Sequence, residues 1–246
     1  MKNNKMKLLF AIAVIAANAL FASQSFAAVP VVNVNDKIRF ADGPGASPGG
    51  AFILTAYDST GTFVKGSFEL FCVEKNEFIS FSPAVFNVAS ITKEARNGGL
   101  GGQIPTPYPR DPLDVKTAWL YTQYIENQAA LNAVAGWSAL TSVDKGTAMQ
   151  QAIWSIEQEI GSVTGVASAL ISAAAAAGWV DTGRVQMLNL TWYSGGGSSF
   201  PTGTYAQDQL YITPVPEPEI YAMLAAGLGL MVFVARRRKQ YDDTVI

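Results

Sequence analysis

The chain has 246 residues with a formal net charge of -2; 15% of them are charged and 49% are hydrophobic. That balance offers neither a basic footprint for nucleic acid nor an acidic solvating tail, so nucleic acid is not expected as a partner. There is no histidine and only one cysteine, which excludes Ser-His-Asp and Cys-His catalysis, histidine-ligated zinc or copper, and any intramolecular disulfide; no metal and no cofactor is expected.

At the N-terminus, Lys2, Lys5 and Lys7 precede an apolar run over 8–21 and a Ser25-Phe26-Ala27 exit of small residues. This predicts a secretory signal peptide over residues 1–27. Residues 28–213 then form one ectodomain, long enough to bury a substantial core. Alternation of apolar and polar residues predicts strands over 31–40 and 51–57, a turn at 58–61 and a third strand over 62–74. The β-rich pattern continues over 76–81 and 84–92, broken at Pro83, and the Gly/Pro-rich stretch 97–112 reads as a long loop.

Helical periodicity follows. Residues 113–128 place Ala118, Trp119, Tyr121, Tyr124 and Ile125 near one side. Residues 144–161 carry Ala148, Ala152, Ile153, Ile156 and Ile160 as a buried stripe, with Gly161 as the expected stop. A third helix of small residues spans 166–178, and strands over 184–193 and 204–213 flank a Gly/Ser loop. The order predicts an α+β fold: a β-sheet or sandwich-like ectodomain with a helical insert.

After the ectodomain come Pro216-Glu217-Pro218, an uncharged and proline-free run over 220–235, and the cluster Arg236, Arg237, Arg238 and Lys239. The run is expected to be a transmembrane helix, with the basic cluster held on the cytoplasmic side. These three elements in this order resemble the PEP-CTERM sorting signal of Gram-negative bacteria, over 214–246. A tail at 240–246 continues past the basic cluster, where many members of that family stop. The resemblance implies an exosortase as partner and anchoring in the inner membrane with the ectodomain in the periplasm. It also implies later release to the cell surface or into extracellular polysaccharide.

The lone cysteine of an exported chain requires an account, because its destination is oxidising. Two stretches, "ELFCVEKNEF" and "TAMQQAIWSIEQEI", resemble the signature segments of TQXA-type thioester domains of surface adhesins. Phe71-Cys72 matches the first, and Gln150-Gln151-Ala152-Ile153-Trp154 the second; Met149 stands where the motif has threonine. The resemblance implies an internal thioester between Cys72 and Gln150, kept dry by Phe71, Trp154 and Trp119. Such a bond would acylate an amine or hydroxyl on a surface protein or polysaccharide; it is spent in one turnover, so no enzyme is expected.

The residues alone leave an alternative open, a non-covalent structural or carbohydrate-associated matrix protein. In that reading Phe68, Leu70 and Cys72 share one buried strand face, Gln150 lies at the edge of an apolar helix face, and the aromatic residues are core. A hydrolase ranks last: the pairs Glu157/Glu159 and Glu74/Glu77 read as solvated faces rather than glycosidase carboxylates. Asn189-Leu190-Thr191 fits a glycosylation sequon, read as a chance match.

Overall fold

The computed structural model describes residues 29–46, 49–96, 99–102, 104, 109–126, 128–215, 224–229 and 231. It divides into two compact units, Met1–Ile212 and Thr213–Ile246. In the first, β1 (Lys37–Asp42), β2 (Phe52–Tyr57), β3 (Val64–Leu70) and β4 (Val85–Thr92) precede a short pair, β5 (Glu94–Arg96) and β6 (Arg110–Pro112). Helices α1 (Val115–Glu126), α2 (Gln128–Asn132), α3 (Ser142–Ile156) and α4 (Gly165–Ala176) follow, then β7 (Val185–Ser194) and β8 (Tyr205–Ile212).

Six strands make one antiparallel sheet in the order β3-β2-β1-β4-β7-β8. Period-two alternation turns one side chain in two toward the core: Ile38 faces Ala56, Phe40 faces Leu54, and Leu54 faces Phe68 across neighbouring strands. All of these are buried, and enclosing a side chain of that size stabilises by roughly 1.5–3 kcal/mol. Phe40 and Phe86 meet edge to face at 5.4 Å.

Of the expected β-sheet or sandwich-like ectodomain, the structure shows one six-stranded sheet whose edges meet, with β5 and β6 as a separate pair. After β3 the chain stays extended, and Leu210 N donates to Phe71 O (2.9 Å) while Val73 N donates to Asp208 O (3.2 Å). Cys72 therefore stands opposite Gln209 at a seam between the outermost strands, where an open edge would leave backbone groups unpaired. The helices pack outside: α1 lies against β7 and against α3 and α4, and its Tyr121 hydroxyl donates to Glu69 O (3.1 Å). With this cover β7 is buried over most of its length, and β8, flanked by β7, β3 and β5, is buried everywhere but at Tyr205.

Several boundaries move. β1 starts at Lys37 instead of residue 31, because Asn35 takes a left-handed φ of 73° and Asn33 N donates to the Asp36 carboxylate at 2.7 Å, making a turn. Residues 76–81 form no strand; Phe78 O accepts one backbone bond from Gln207 N. The stretch read as a loop over 97–112 ends in β6, paired with β5. Thr141 caps α3 by accepting from Asp144 N, and the helix stops at Ile156, where Gln158 (φ 63°) makes the left-handed turn assigned to Gly161.

Among the described residues, no helix is long and apolar enough to cross a membrane. Within the expected transmembrane run 220–235, residues 224–229 and 231 are helical. Its other residues, the signal-peptide residues 1–27, Pro216, Glu217, Pro218, and Arg236 to Lys239 lie outside the described residues.

Candidate functional site at the sheet seam

Cys72 and Gln150 come from opposite halves of the ectodomain, and the fold sets them in direct contact. The Cys72 thiol donates to Gln150 Oε1 at 3.4 Å, and Gln150 Nε2 donates to Cys72 O at 2.8 Å. Both residues are buried. The edge position that the non-covalent reading gave Gln150 is thus corrected: it is buried and faces the seam, with Met149, Ile153 and Trp154 buried around it on α3.

The reason for that burial is the Gly/Pro-rich loop between β1 and β2. Ala46 N donates to Thr147 Oγ1 (2.8 Å), and the Pro44 carbonyl occupies the space a side chain at Gly146 would need. Further along, a Cβ at Gly49 would come within 3.0 Å of the Trp154 ring and 3.3 Å of Gln150 Cγ. Small residues therefore let backbone roof the helix where a bulkier loop would stand off.

On its other side Cys72 borders a cavity of about 460 Å³, whose wall includes Trp154, Phe52, Phe78, Phe81, Lys75 and Glu77. Of the three expected shielding aromatics, only Trp154 lines it. Phe71 turns the other way to stack edge-on with Tyr124 at 5.0 Å, and Trp119 packs at the core margin. Burial pushes the Cys72 thiol well above its usual range, a shift that the Trp154 indole opposes and the neighbouring Glu74 carboxyl reinforces. Among the described residues, the buried Trp154 indole N–H has no hydrogen-bond acceptor besides the Cys72 sulfur that it favours as thiolate.

Acidic side chains crowd the same end of the molecule, and the solvated faces expected for them are absent: Glu74, Glu157 and Glu159 are buried, as are Asp111 and Asp208. Backbone amides satisfy most of them. Lys75 N and Leu100 N donate to Glu159 (2.9 and 2.6 Å); Arg96 N and Leu190 N donate to Asp208 (2.7 and 3.1 Å). Burial raises Glu74 and Asp208 above the carboxylate range, and Asp208 and Glu77 push Glu74 further. Asn189 of the sequon is enclosed as well, donating to Asp208 Oδ2 at 2.7 Å, so the structure gives it no surface on which to carry a glycan.

Beyond the ectodomain, the match is to a family model described as PEP-CTERM protein-sorting motif, over residues 214–239. The chain carries a PEP-CTERM sorting motif. It contains Pro216-Glu217-Pro218, the apolar run and the cluster Arg236 to Lys239 in the order read from the sequence. The PEP-CTERM motif marks an exported protein that is targeted to an exosortase and sorted while anchored in the membrane. No curated protein and no solved structure matches the chain at a significant level.

Sequence reasoning singled out Cys72, Gln150 and Trp154, which the fold brings together, and Phe71 and Trp119, which it places elsewhere. It missed Gln209 and Asp208, because no periodicity tells which strand will lie beside Cys72. It also missed the roofing role of Gly49 and Gly146; the only signal was the density of small residues over 43–50.

Proposed function

We propose that the PEP-CTERM motif delivers a covalent adhesin, whose ectodomain attaches to an extracellular polymer or neighbouring surface through an internal thioester of Cys72 and Gln150. The observation that supports this most is the contact of the thiol with the Gln150 carbonyl oxygen at 3.4 Å in a buried setting. The Cys72 sulfur bonds to the Gln150 amide carbon, the C–N bond breaks, and the thiol proton leaves with the nitrogen as ammonia. Placement does most of the work, since a nucleophile held against its acyl carbon needs no high concentration. The Trp154 indole, which favours the charged form of Cys72, is a donor available to the charge that develops at the site. The cavity beside Cys72 then admits an amine or hydroxyl, which takes the acyl group from sulfur, forms an amide or ester at Gln150 and returns the thiol. One bond is made per molecule, which is attachment and not turnover.

The runner-up is a non-covalent matrix protein in which Cys72 is a core residue; the dry environment that keeps the thiol protonated favours it. Intact mass of the purified chain separates the two. The covalent reading expects a mass lower by one ammonia, raised by methylamine to one CH₂ above the unmodified chain as an adduct mapped to Gln150, with both effects lost in Cys72→Ala. A full mass with one titratable thiol after unfolding would leave the non-covalent reading.

A further inference from the structure

Glu74, Glu77 and Asp208 each bring a carboxylate oxygen to within 4.8 Å of the others. Asp208 belongs to β8, Glu74 comes two residues after the seam cysteine, and Glu77 stands on the cavity wall. Carboxylates withdrawn from water are paired with a cation, coordinate a metal or give up their charge. Glu74 and Asp208 are fully buried, and among the described residues neither takes part in an ion pair.

Their hydrogen bonds differ in a telling way. Asp208 is served by Arg96 N, Leu190 N and Asn189 Nδ2. Glu74 accepts from Asp208 N through Oε2 at 3.2 Å, while no donor among the described residues reaches its enclosed Oε1, and the Glu77 carboxyl lies against it. A buried carboxylate oxygen that no donor reaches, beside two further carboxylates, is the arrangement a positive ion completes.

We propose that Glu74, Glu77 and Asp208 bind a hard divalent cation, Ca²⁺ by preference, which ties the segment after the seam cysteine to β8. An all-oxygen set suits a hard ion rather than zinc or copper. The oxygens lie within 4.8 Å of one another, close enough to share one ion; Ca²⁺ accepts an irregular, flexible set of oxygens, whereas Mg²⁺ demands a near-ideal octahedron. The cavity bordered by Glu77 supplies a path for entry.

The test uses the full purified chain, stripped with EDTA and titrated with CaCl₂ or MgCl₂ by calorimetry while the unfolding temperature is followed. The expected result is one Ca²⁺ per chain with a Kd of roughly 0.1–1 mM, the range of extracellular sites. The unfolding temperature should rise with Ca²⁺ and return with EDTA. Glu77→Gln, at a partly exposed position, is expected to fold and to bind at least about tenfold more weakly. Glu126→Gln, which removes a surface partner of Arg184, should leave binding unchanged. Should Glu74→Gln fail to fold, the Glu77 variant still decides. The proposal is overturned if the folded wild-type chain shows neither heat nor a thermal shift at about 10 mM Ca²⁺, or if Glu77→Gln responds as the wild type does. Stabilisation by acid alone, without any response to Ca²⁺, would likewise overturn it and assign the cluster a shared proton. None of these readouts depends on whether Cys72 and Gln150 are joined.

Discussion

A glutamine enclosed by protein must satisfy both ends of its amide, and Gln150 does so through one residue, with its nitrogen on the Cys72 carbonyl and its oxygen on the Cys72 thiol. A buried carboxyl has a different escape: it keeps its proton. Glu157, which accepts from Asp114 N at 3.3 Å, is raised from 4.5 to about 8, chiefly by burial, with Asp111 and Asp114 adding to the shift. Between those values the folded chain holds a proton that the unfolded chain has released. Its contribution is therefore complete below about 4.5 and is lost as pH rises through about 8. Glu157→Gln keeps the shape and removes the titration. Urea unfolding at pH 5 and pH 9 should show a flatter pH dependence for the variant and, at the higher pH, a gain over the wild type. At ~1.4 kcal/mol per unit, that gain is on the order of 2–5 kcal/mol.

At the scale of elements, the contact between the loop after β1 and α3 decides how dry the seam is. Gly146→Ala should favour helix by up to ~1 kcal/mol on propensity alone, yet the new methyl would collide with the Pro44 carbonyl, a backbone atom that cannot rotate aside. The expected net outcome is destabilisation of about 1–3 kcal/mol in chemical denaturation, with faster modification of Cys72 by a thiol reagent after methylamine treatment. The buried stripe of α3 was legible, since Ala148, Ala152, Ile153 and Ile156 recur at helical spacing and are indeed enclosed. The roof over Gln150 and Trp154 was not, because a loop remote in sequence supplies the cover. The same physics hid β5 and β6: each is three residues long, too short for alternation to register, and each is defined by pairing with the other. Cys72 read as part of a strand, whereas β3 ends at Leu70 and the cysteine's partner on β8 is fixed by how the sheet curls.

At the scale of the molecule, a PEP-CTERM motif at residues 214–239 means that the chain is exported and sorted while anchored in a membrane. Removing residues 214–246 should shift the protein from the membrane fraction to the soluble periplasmic or secreted fraction on immunoblots. Replacing Pro216, Glu217 and Pro218 together should instead leave an uncleaved chain in the membrane fraction. Whatever the processing step, β8 ends at Ile212, and Thr213 opens the stretch of sequence that carries the sorting motif. Tension applied through that end would load β8 along its length, so that its ladder with β7 and its grip on residues 71–73 would be sheared as a set rather than peeled one bond at a time. Resistance to forced unfolding is set by the rate at which such a barrier is crossed; a protein held against flowing liquid would owe its endurance to this last strand more than to its equilibrium stability.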